Sequence, residues 1–134
     1  MKTLRNIAAV VIGLVIGITV MMYLGQINGS FVPIPEGMDP NDMDSIAANM
    51  GQYTLLNYLV IFLSHSLGTL AGALTAGLIA QSGKLIFCYV VGVVFLLAGI
   101  AMVIMLPSPL WFAFADLAFA YIPVAWLAAK TVKK

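Results

Sequence analysis

The sequence predicts an all-α integral membrane protein, a bundle of four membrane-crossing helices with a short amphipathic helix in the outer loop between the first two. Of its 134 residues, 63% are hydrophobic and only 8% are charged, whereas soluble domains carry about 25% charged residues. Four long stretches are apolar, and the basic residues are confined to three short regions. A soluble fold of this size would have no interior for so much apolar surface, so we expect a bilayer to surround it.

Each apolar stretch is about as long as a membrane-spanning helix. The stretches are residues 7–25, 55–80, 85–106 and 109–129, and Asp116 is the one Asp, Glu, Lys or Arg among them. A hydrocarbon core about 30 Å thick needs roughly 20 helical residues, and a helix satisfies its own backbone hydrogen bonds there. Residues 1–134 are therefore interpreted as a single transmembrane domain. The expected helices are about 5–26, 53–81, 84–106 and 109–130.

The distribution of charge predicts how the chain sits in the membrane. The six basic residues are Lys2, Arg5, Lys84, Lys130, Lys133 and Lys134. With four crossings these positions lie on one side, which the positive-inside rule makes cytoplasmic. The acidic residues Glu36, Asp39, Asp42 and Asp44 fall on the other side. Both termini are thus expected in the cytoplasm. The first helix is expected to remain as an anchor, because its apolar run is too long for a signal peptide.

The long outer segment, residues 26–54, is expected to carry a surface helix. It begins with Pro33 and Pro35, which favour a stiff, extended backbone. Asp39 followed by Pro40 is typical of a helix start. Apolar residues then recur with the spacing of one helical face, at Met43, Ile46, Ala47 and Met50. The pattern predicts an amphipathic helix over 39–50 that lies on the outer surface or caps the bundle.

Several motifs resemble those of a known group of proteins. They are Pro33-Ile34-Pro35-Glu36-Gly37, Met43-Asp44-Ser45, the run from His65 to Leu70, the run from Met105 to Phe112, and the run from Asp116 to Pro123. Together they resemble an uncharacterised family of small four-helix bacterial membrane proteins of the Bacteroidetes type. The resemblance covers nearly the whole chain and implies a location in the bacterial inner membrane. It implies no activity and no functional residues.

Two ionisable residues inside the apolar stretches form a candidate intramembrane pair. His65 and Asp116 lie roughly 22 and 20 Å from the cytoplasmic ends of their helices, at about 1.5 Å per residue. The same count places Thr19 in that layer as a candidate neighbour. One interpretation is a proton-binding or ligand-orienting site, since intramembrane ionisable groups often serve function. The other, which ranks first, is a mutually satisfied pair that locks the second helix against the fourth.

Small residues in the second predicted helix form a packing stripe. Ser64, Gly68, Gly72 and Ala76 recur at every fourth position, and Gly77 belongs with Ala73 to an adjacent row. Such stripes let helices approach closely in lipid. Packing within the chain is favoured over a dimer seam, with Gly13 and Gly17 of the first helix as the expected partner. Pro123 predicts a kink in the fourth helix, because it removes a backbone hydrogen bond.

No sequence motif indicates catalysis. The chain has no P-loop, no dinucleotide-binding glycine fingerprint and no G-x-S-x-G. Its single cysteine, Cys88, excludes a disulfide within the chain, and one histidine with one membrane carboxylate does not make a metal site. We therefore expect no catalytic residues, no cofactor, no metal and no nucleic-acid partner.

Three functions from different classes fit these patterns. A non-enzymatic accessory or assembly unit of the inner membrane ranks first, and predicts a closed, dry bundle. A small oligomeric carrier or channel ranks second, and predicts a water-accessible cavity that reaches His65 and Asp116. Binding of a lipid or other apolar ligand beneath the outer helix ranks third. The expected partner is the lipid bilayer, with a homo-oligomer or a larger membrane complex as alternatives.

Overall fold

The computed structural model describes residues 1–133, which form six α-helices and confirm the predicted all-α class. The helices are α1 (Lys2–Gly25), α2 (Met43–Asn49), α3 (Leu55–Ile79), α4 (Lys84–Met105), α5 (Leu110–Phe119) and α6 (Ile122–Lys133). A single turn at Ile27–Ser30 follows α1, and a 3₁₀ turn at Met50–Gln52 follows α2. Because α5 and α6 continue one another, the molecule has four long helical segments and the short surface helix α2.

These four segments are long and apolar enough to cross a membrane: Lys2–Gly25, Leu55–Ile79, Lys84–Met105 and Leu110–Lys133. Their outward faces carry large apolar side chains such as Val15, Leu67, Leu97 and Phe114. Soluble monomers rarely expose contiguous apolar surface on this scale. By length and composition the fold is that of a multi-pass membrane protein.

Glycines bring α1 and α3 into backbone contact. A Cβ atom added to Gly13 would lie 2.6 Å from the carbonyl oxygen of Gly72, and one added to Gly17 would lie 2.8 Å from that of Gly68. Ala76 extends the same contact, because its Cβ would be 3.0 Å from that of a residue at position 13. The predicted stripe therefore packs within the chain against the predicted partner. At this distance Cα–H···O contacts add to the dispersion attraction.

The adjacent row faces a different pair of helices. A Cβ atom at Gly77 would lie 2.6 Å from Cys88 Sγ in α4 and 3.0 Å from Val132 in α6. Gly77 thus packs away from α1, toward the other half of the bundle. Ser64, the first residue of the stripe, is buried, and its hydroxyl donates to the carbonyl of Val60 at 2.7 Å.

The kink predicted at Pro123 is a full break in the helix. The α-helix stops at Phe119 and resumes at Ile122, leaving Ala120 and Tyr121 outside regular structure. Proline has no N–H to donate to the carbonyl four residues earlier, and its ring collides with that carbonyl. For Pro123 that carbonyl belongs to Phe119, which is where α5 ends.

The N-terminus, the α3–α4 turn and the end of α6 lie at one end of the bundle. Arg5 Nε donates to the carbonyl of Ile79 at 2.6 Å, and the Asn6 side chain accepts from the backbone N–H of Gln81 at 3.0 Å. Val132 approaches Gly77 nearby. The basic residues of these three regions therefore share one end, apart from Lys134, which lies outside the described residues.

The surface helix is shorter than predicted, because its start was misplaced. The prediction placed the N-cap at Asp39, whereas α2 begins at Met43 with Asp42 as its cap, accepting from the N–H of Asp44 at 3.1 Å. Asp39 instead accepts from the N–H of Asn41 at 2.9 Å, which closes a turn around Pro40. The N–H of Asp42 donates to the carbonyl of Asp39 at 3.2 Å, and the extended backbone of Asp42 (φ −114°, ψ 115°) separates this turn from the helix that follows.

Candidate functional site

His65 and Asp116 are in direct contact. His65 lies in α3 and Asp116 in α5, and Nδ1 of the histidine is 2.9 Å from Oδ1 and 3.0 Å from Oδ2 of the carboxylate. Asp116 is buried, with 3% of its surface exposed, and the histidine side chain is 26% exposed. The pairing inferred from equal depth in two helices is therefore present in the fold.

Tyr121 completes a three-residue cluster that the sequence analysis missed. Its hydroxyl donates to Oδ2 of Asp116 at 3.2 Å, and its ring stacks on that of His65 with centroids 5.9 Å apart. In an unbroken helix, residues five positions apart point about 140° away from each other. The break that precedes Ile122 lets Tyr121 turn back toward Asp116. Pro123 is the sequence feature that could have indicated Tyr121, because a proline interrupts the helix in the residues just before it.

Gly99 of α4 makes room for the tyrosine. A Cβ atom at this position would lie 2.7 Å from the Tyr121 hydroxyl oxygen and 2.9 Å from its ring. Gly99 therefore lies directly against the cluster. A larger residue there would push the tyrosine off the carboxylate.

Thr19, the predicted neighbour from the first helix, does not join the cluster. It is exposed, and its hydroxyl donates to the carbonyl of Val15 at 2.8 Å within α1. The face of α1 that meets α3 is its glycine edge, at Gly13 and Gly17, and Thr19 lies off that edge. A depth count locates the layer of a residue but not the direction of its side chain.

A cavity of about 220 Å³ lies beneath the outer segment and ends at the pair. Its roof comes from the outer segment and α2, and its walls come from α3, α4 and α5. Most lining side chains are apolar, including Ile34, Met38, Ile46, Met50, Ile61, Met102, Val103, Leu106 and Phe112. His65 and Asp116 supply the polar end. The amphipathic helix and the 3₁₀ turn after it thus cap the bundle, with Met50 of the turn buried and Ile46 of the helix partly buried.

Hydrogen bonds from Asn57 hold the roof to α3. Its side-chain N–H₂ donates to Asn28 Oδ1 at 3.0 Å and to the carbonyl of Pro33 at 2.9 Å. Asn28 in turn donates to the backbone carbonyl of Asn57 at 3.1 Å. The amide oxygen of Asn57 accepts from Thr54, which completes a capping box at the start of α3. Asn57 is 1% exposed, so this clasp is shielded from competing water.

An aromatic cluster supports the roof from below. Tyr58 is buried, its hydroxyl donates to the carbonyl of Met50 at 2.8 Å, and its ring lies 4.7 Å from that of Phe112. Tyr53, just before α3, contacts Tyr58 edge-on at 5.5 Å and also lines the cavity. Burial raises the pKa of Tyr53, so its hydroxyl stays neutral.

The chemistry available at the site is limited to hydrogen bonding and proton exchange. Among residues 1–133 there is no group of three or more His, Cys, Asp or Glu side chains that could hold a metal ion. One carboxylate, one imidazole and one phenol meet in the cluster, and the first two line an apolar cavity. Ligand sites have this composition, mostly apolar with a few polar groups that fix orientation.

By the length and composition of its helices the fold is that of a multi-pass helical membrane protein, and the site is a cavity beneath a short amphipathic helix. Comparisons with protein-family models, with curated proteins and with solved structures give no match.

Proposed function

We propose that this membrane protein binds a small, mainly apolar ligand in its outer cavity, with the His65–Asp116 pair as the polar end of the site. The observation that carries the proposal is the cavity of about 220 Å³ that reaches the pair. An apolar protein cavity of about 150 Å³ is large enough to bind benzene. The space here suits a somewhat larger molecule, or one ring-sized portion of a lipid.

The cavity favours ligand binding over the accessory unit that ranks first on sequence alone. An accessory unit needs only a closed bundle, and nothing in that role requires a roofed apolar space ending at two ionisable groups. The hydrogen bonds of Asn57 to Asn28 and Pro33 also favour ligand binding, because they hold the outer segment in place above the cavity. A role as a subunit of a larger complex remains compatible with ligand binding, but it does not account for the site.

The packing below the pair favours ligand binding over a carrier. A carrier needs a path from the cavity to the opposite end of the bundle. Beyond the pair, however, the core consists of fully buried apolar side chains such as Ala73, Ala76, Cys88, Val91 and Ala128. Such a core packs as densely as an organic crystal. A binding site requires no such path.

The placement in the cell is part of the proposal: a bacterial inner membrane, with both termini in the cytoplasm. Support comes from the shared end of the described basic residues and from the acidic residues of the outer segment at the opposite end, because cytoplasmic loops carry the excess of Lys and Arg. The resemblance of the motifs to small bacterial inner-membrane proteins agrees with this. The cavity then opens toward the periplasm.

Cysteine labelling tests this orientation. In a Cys88→Ala background, Asn41→Cys should react with a membrane-impermeant maleimide in intact spheroplasts, because Asn41 is exposed on the outer segment. Ser82→Cys, exposed in the α3–α4 turn, should react only after the membrane is permeabilised. Both labelling patterns are read by mass spectrometry. The opposite pattern would reverse the orientation and point the cavity toward the cytoplasm.

Filling the cavity tests the binding function. Val103 of α4 lines the cavity, whereas the next residue, Ile104, is 80% exposed on the lipid-facing side. Val103→Trp should therefore displace a bound ligand, and Ile104→Trp should leave it in place. The measurement is native mass spectrometry of protein released from nanodiscs, with melting temperatures to verify that both variants are folded. Wild-type protein that retains no small molecule, or equal retention by both variants, would contradict the proposal.

A further inference from the structure

We propose that the ligand is a neutral ring compound of about naphthalene size whose hydroxyl group hydrogen-bonds to Nε2 of His65. This inference rests on the proposed binding function and adds the chemical class of the ligand. It is carried by three independent features of the cavity: the free nitrogen at its polar end, the sign of the charge around it, and the size and chemistry of its walls.

The free nitrogen follows from the contact with Asp116. An ionised carboxylate offers only acceptors, so Nδ1 of His65 carries a hydrogen and donates it at 2.9 Å. Nε2, on the other side of the ring, makes no hydrogen bond within residues 1–133, and it is not among their fully enclosed unpartnered atoms. His65 lines the cavity. A ligand there finds one accessible ring nitrogen at the polar end.

A hydroxyl group suits this nitrogen in either protonation state of the ring. When the imidazole is neutral with its hydrogen on Nδ1, Nε2 is an acceptor, and when the ring is protonated, Nε2 is a donor. A hydroxyl both donates and accepts. A carbonyl or ether oxygen only accepts, so it could form a hydrogen bond with Nε2 only when the ring is protonated. An alcohol or phenol is therefore the simplest complement to the site.

The charge around the cavity disfavours anions. Asp116 lies at its inner end. Glu36, Asp39, Asp42 and Asp44 are exposed on the outer segment that forms the roof, which has no basic residue. Like charges in a low-dielectric site repel strongly. A fatty acid or another carboxylate is therefore disfavoured relative to a neutral ligand. A cation gains little, because Asp116 is buried and already accepts hydrogen bonds from His65 and Tyr121.

The walls favour an aromatic ring. Met38, Met50 and Met102 line the cavity together with Phe112. Thioether sulfurs make favourable contacts with ring edges, and aromatic rings pack edge-on or offset against one another. The volume of about 220 Å³ exceeds the roughly 150 Å³ that suffices for benzene, which leaves room for a second fused ring.

Three probes of the same size test the inference: 2-naphthol, naphthalene and 2-naphthoate. Binding is measured by isothermal titration to protein in nanodiscs, with empty nanodiscs subtracted to remove partitioning into lipid. We expect 2-naphthol to bind about tenfold more tightly than naphthalene, as one added hydrogen bond implies, and 2-naphthoate to bind most weakly. Val103→Trp should abolish binding of all three, and Ile104→Trp should not.

The contribution of His65 is isolated by a double variant. His65→Phe together with Asp116→Leu removes the nitrogen without leaving a buried carboxylate unpaired. In this variant the affinity ratio of 2-naphthol to naphthalene should fall about tenfold relative to wild type. Because the ratio compares two probes in one protein, a general loss of affinity does not imitate this result.

The outcomes separate this inference from the function on which it rests. If 2-naphthol and naphthalene bind equally well to the wild type, the hydroxyl inference is wrong and the cavity remains a binding site. Tightest binding by 2-naphthoate would overturn the charge argument. If no probe binds beyond the empty nanodisc and wild-type protein retains no small molecule in native mass spectrometry, both the ligand class and the binding function fail.

Discussion

Gly13→Leu should lower the free energy of unfolding by about 3 kcal/mol, the upper part of the usual range for an overpacked interior. A Cβ atom at this position would lie 2.6 Å from the backbone oxygen of Gly72 and 3.0 Å from the Cβ of Ala76. A flexible side chain could move aside, but a helix backbone cannot do so alone. The variant must separate α1 from α3 and lose the backbone contact between them.

The same helix offers a matched control. Gly25, the last residue of α1, has no atom within 4 Å of an added Cβ, so Gly25→Leu should change stability by no more than a few tenths of a kcal/mol. Chemical denaturation in mixed micelles measures both variants. Equal stability of Gly13→Leu and Gly25→Leu would show that the two helices are not held at glycine contact distance.

Asp116→Leu should cost about 3 kcal/mol, because removing one member of a buried polar pair leaves its partners unsatisfied. Nδ1 of His65 and the hydroxyl of Tyr121 both donate to this carboxylate. The Tyr121 hydroxyl lies in the core, with 2% of the residue exposed, so this donor finds no water as a replacement. The effect on stability should therefore far exceed that of a lipid-facing leucine substitution such as Phe114→Leu, where the native side chain is 72% exposed.

A double-mutant cycle separates a specific pair from a general packing effect. His65→Phe combined with Asp116→Leu should be more stable than Asp116→Leu alone, since replacing both partners by apolar groups removes the orphaned donor. The unfolding free energies of wild type, both single variants and the double variant give the coupling energy. Strictly additive losses would mean that the contact between His65 and Asp116 contributes nothing specific.

The four spanning segments and the His65–Asp116 contact could be predicted because both depend on counting along one chain. The length of an apolar run determines whether a helix crosses the membrane, and the rise per residue places two side chains at one depth. The pairing of Gly13 and Gly17 with the stripe of α3 was also within reach, since close-packed helices need small residues on both sides.

The remainder of the site depends on where the chain departs from regular structure. Tyr121 reaches Asp116 only because the helix breaks before Ile122, and periodic spacing gives no information at a break. The cavity exists because the outer segment folds back over the helices, held by Asn57 through contacts with Asn28 and Pro33 that are distant in sequence. Thr19 does not contact the pair for a related reason: the depth of a residue does not determine the direction in which its side chain points.

The narrow face through which α1 contacts α3 determines which substitutions the helix tolerates. Of the 24 residues in α1, the buried ones are Ala9, Gly13 and Gly17. Leu14 and Met21 are partly buried against the core, and most of the remaining circumference is exposed. Val11 and Val15 are both more than half exposed. At such positions, exchanging one aliphatic residue for another should change the stability of the protein in a membrane very little. The first helix therefore has two kinds of position. Gly13 and Gly17 contact α3 so closely that a side chain does not fit, whereas the exposed positions accept any aliphatic residue.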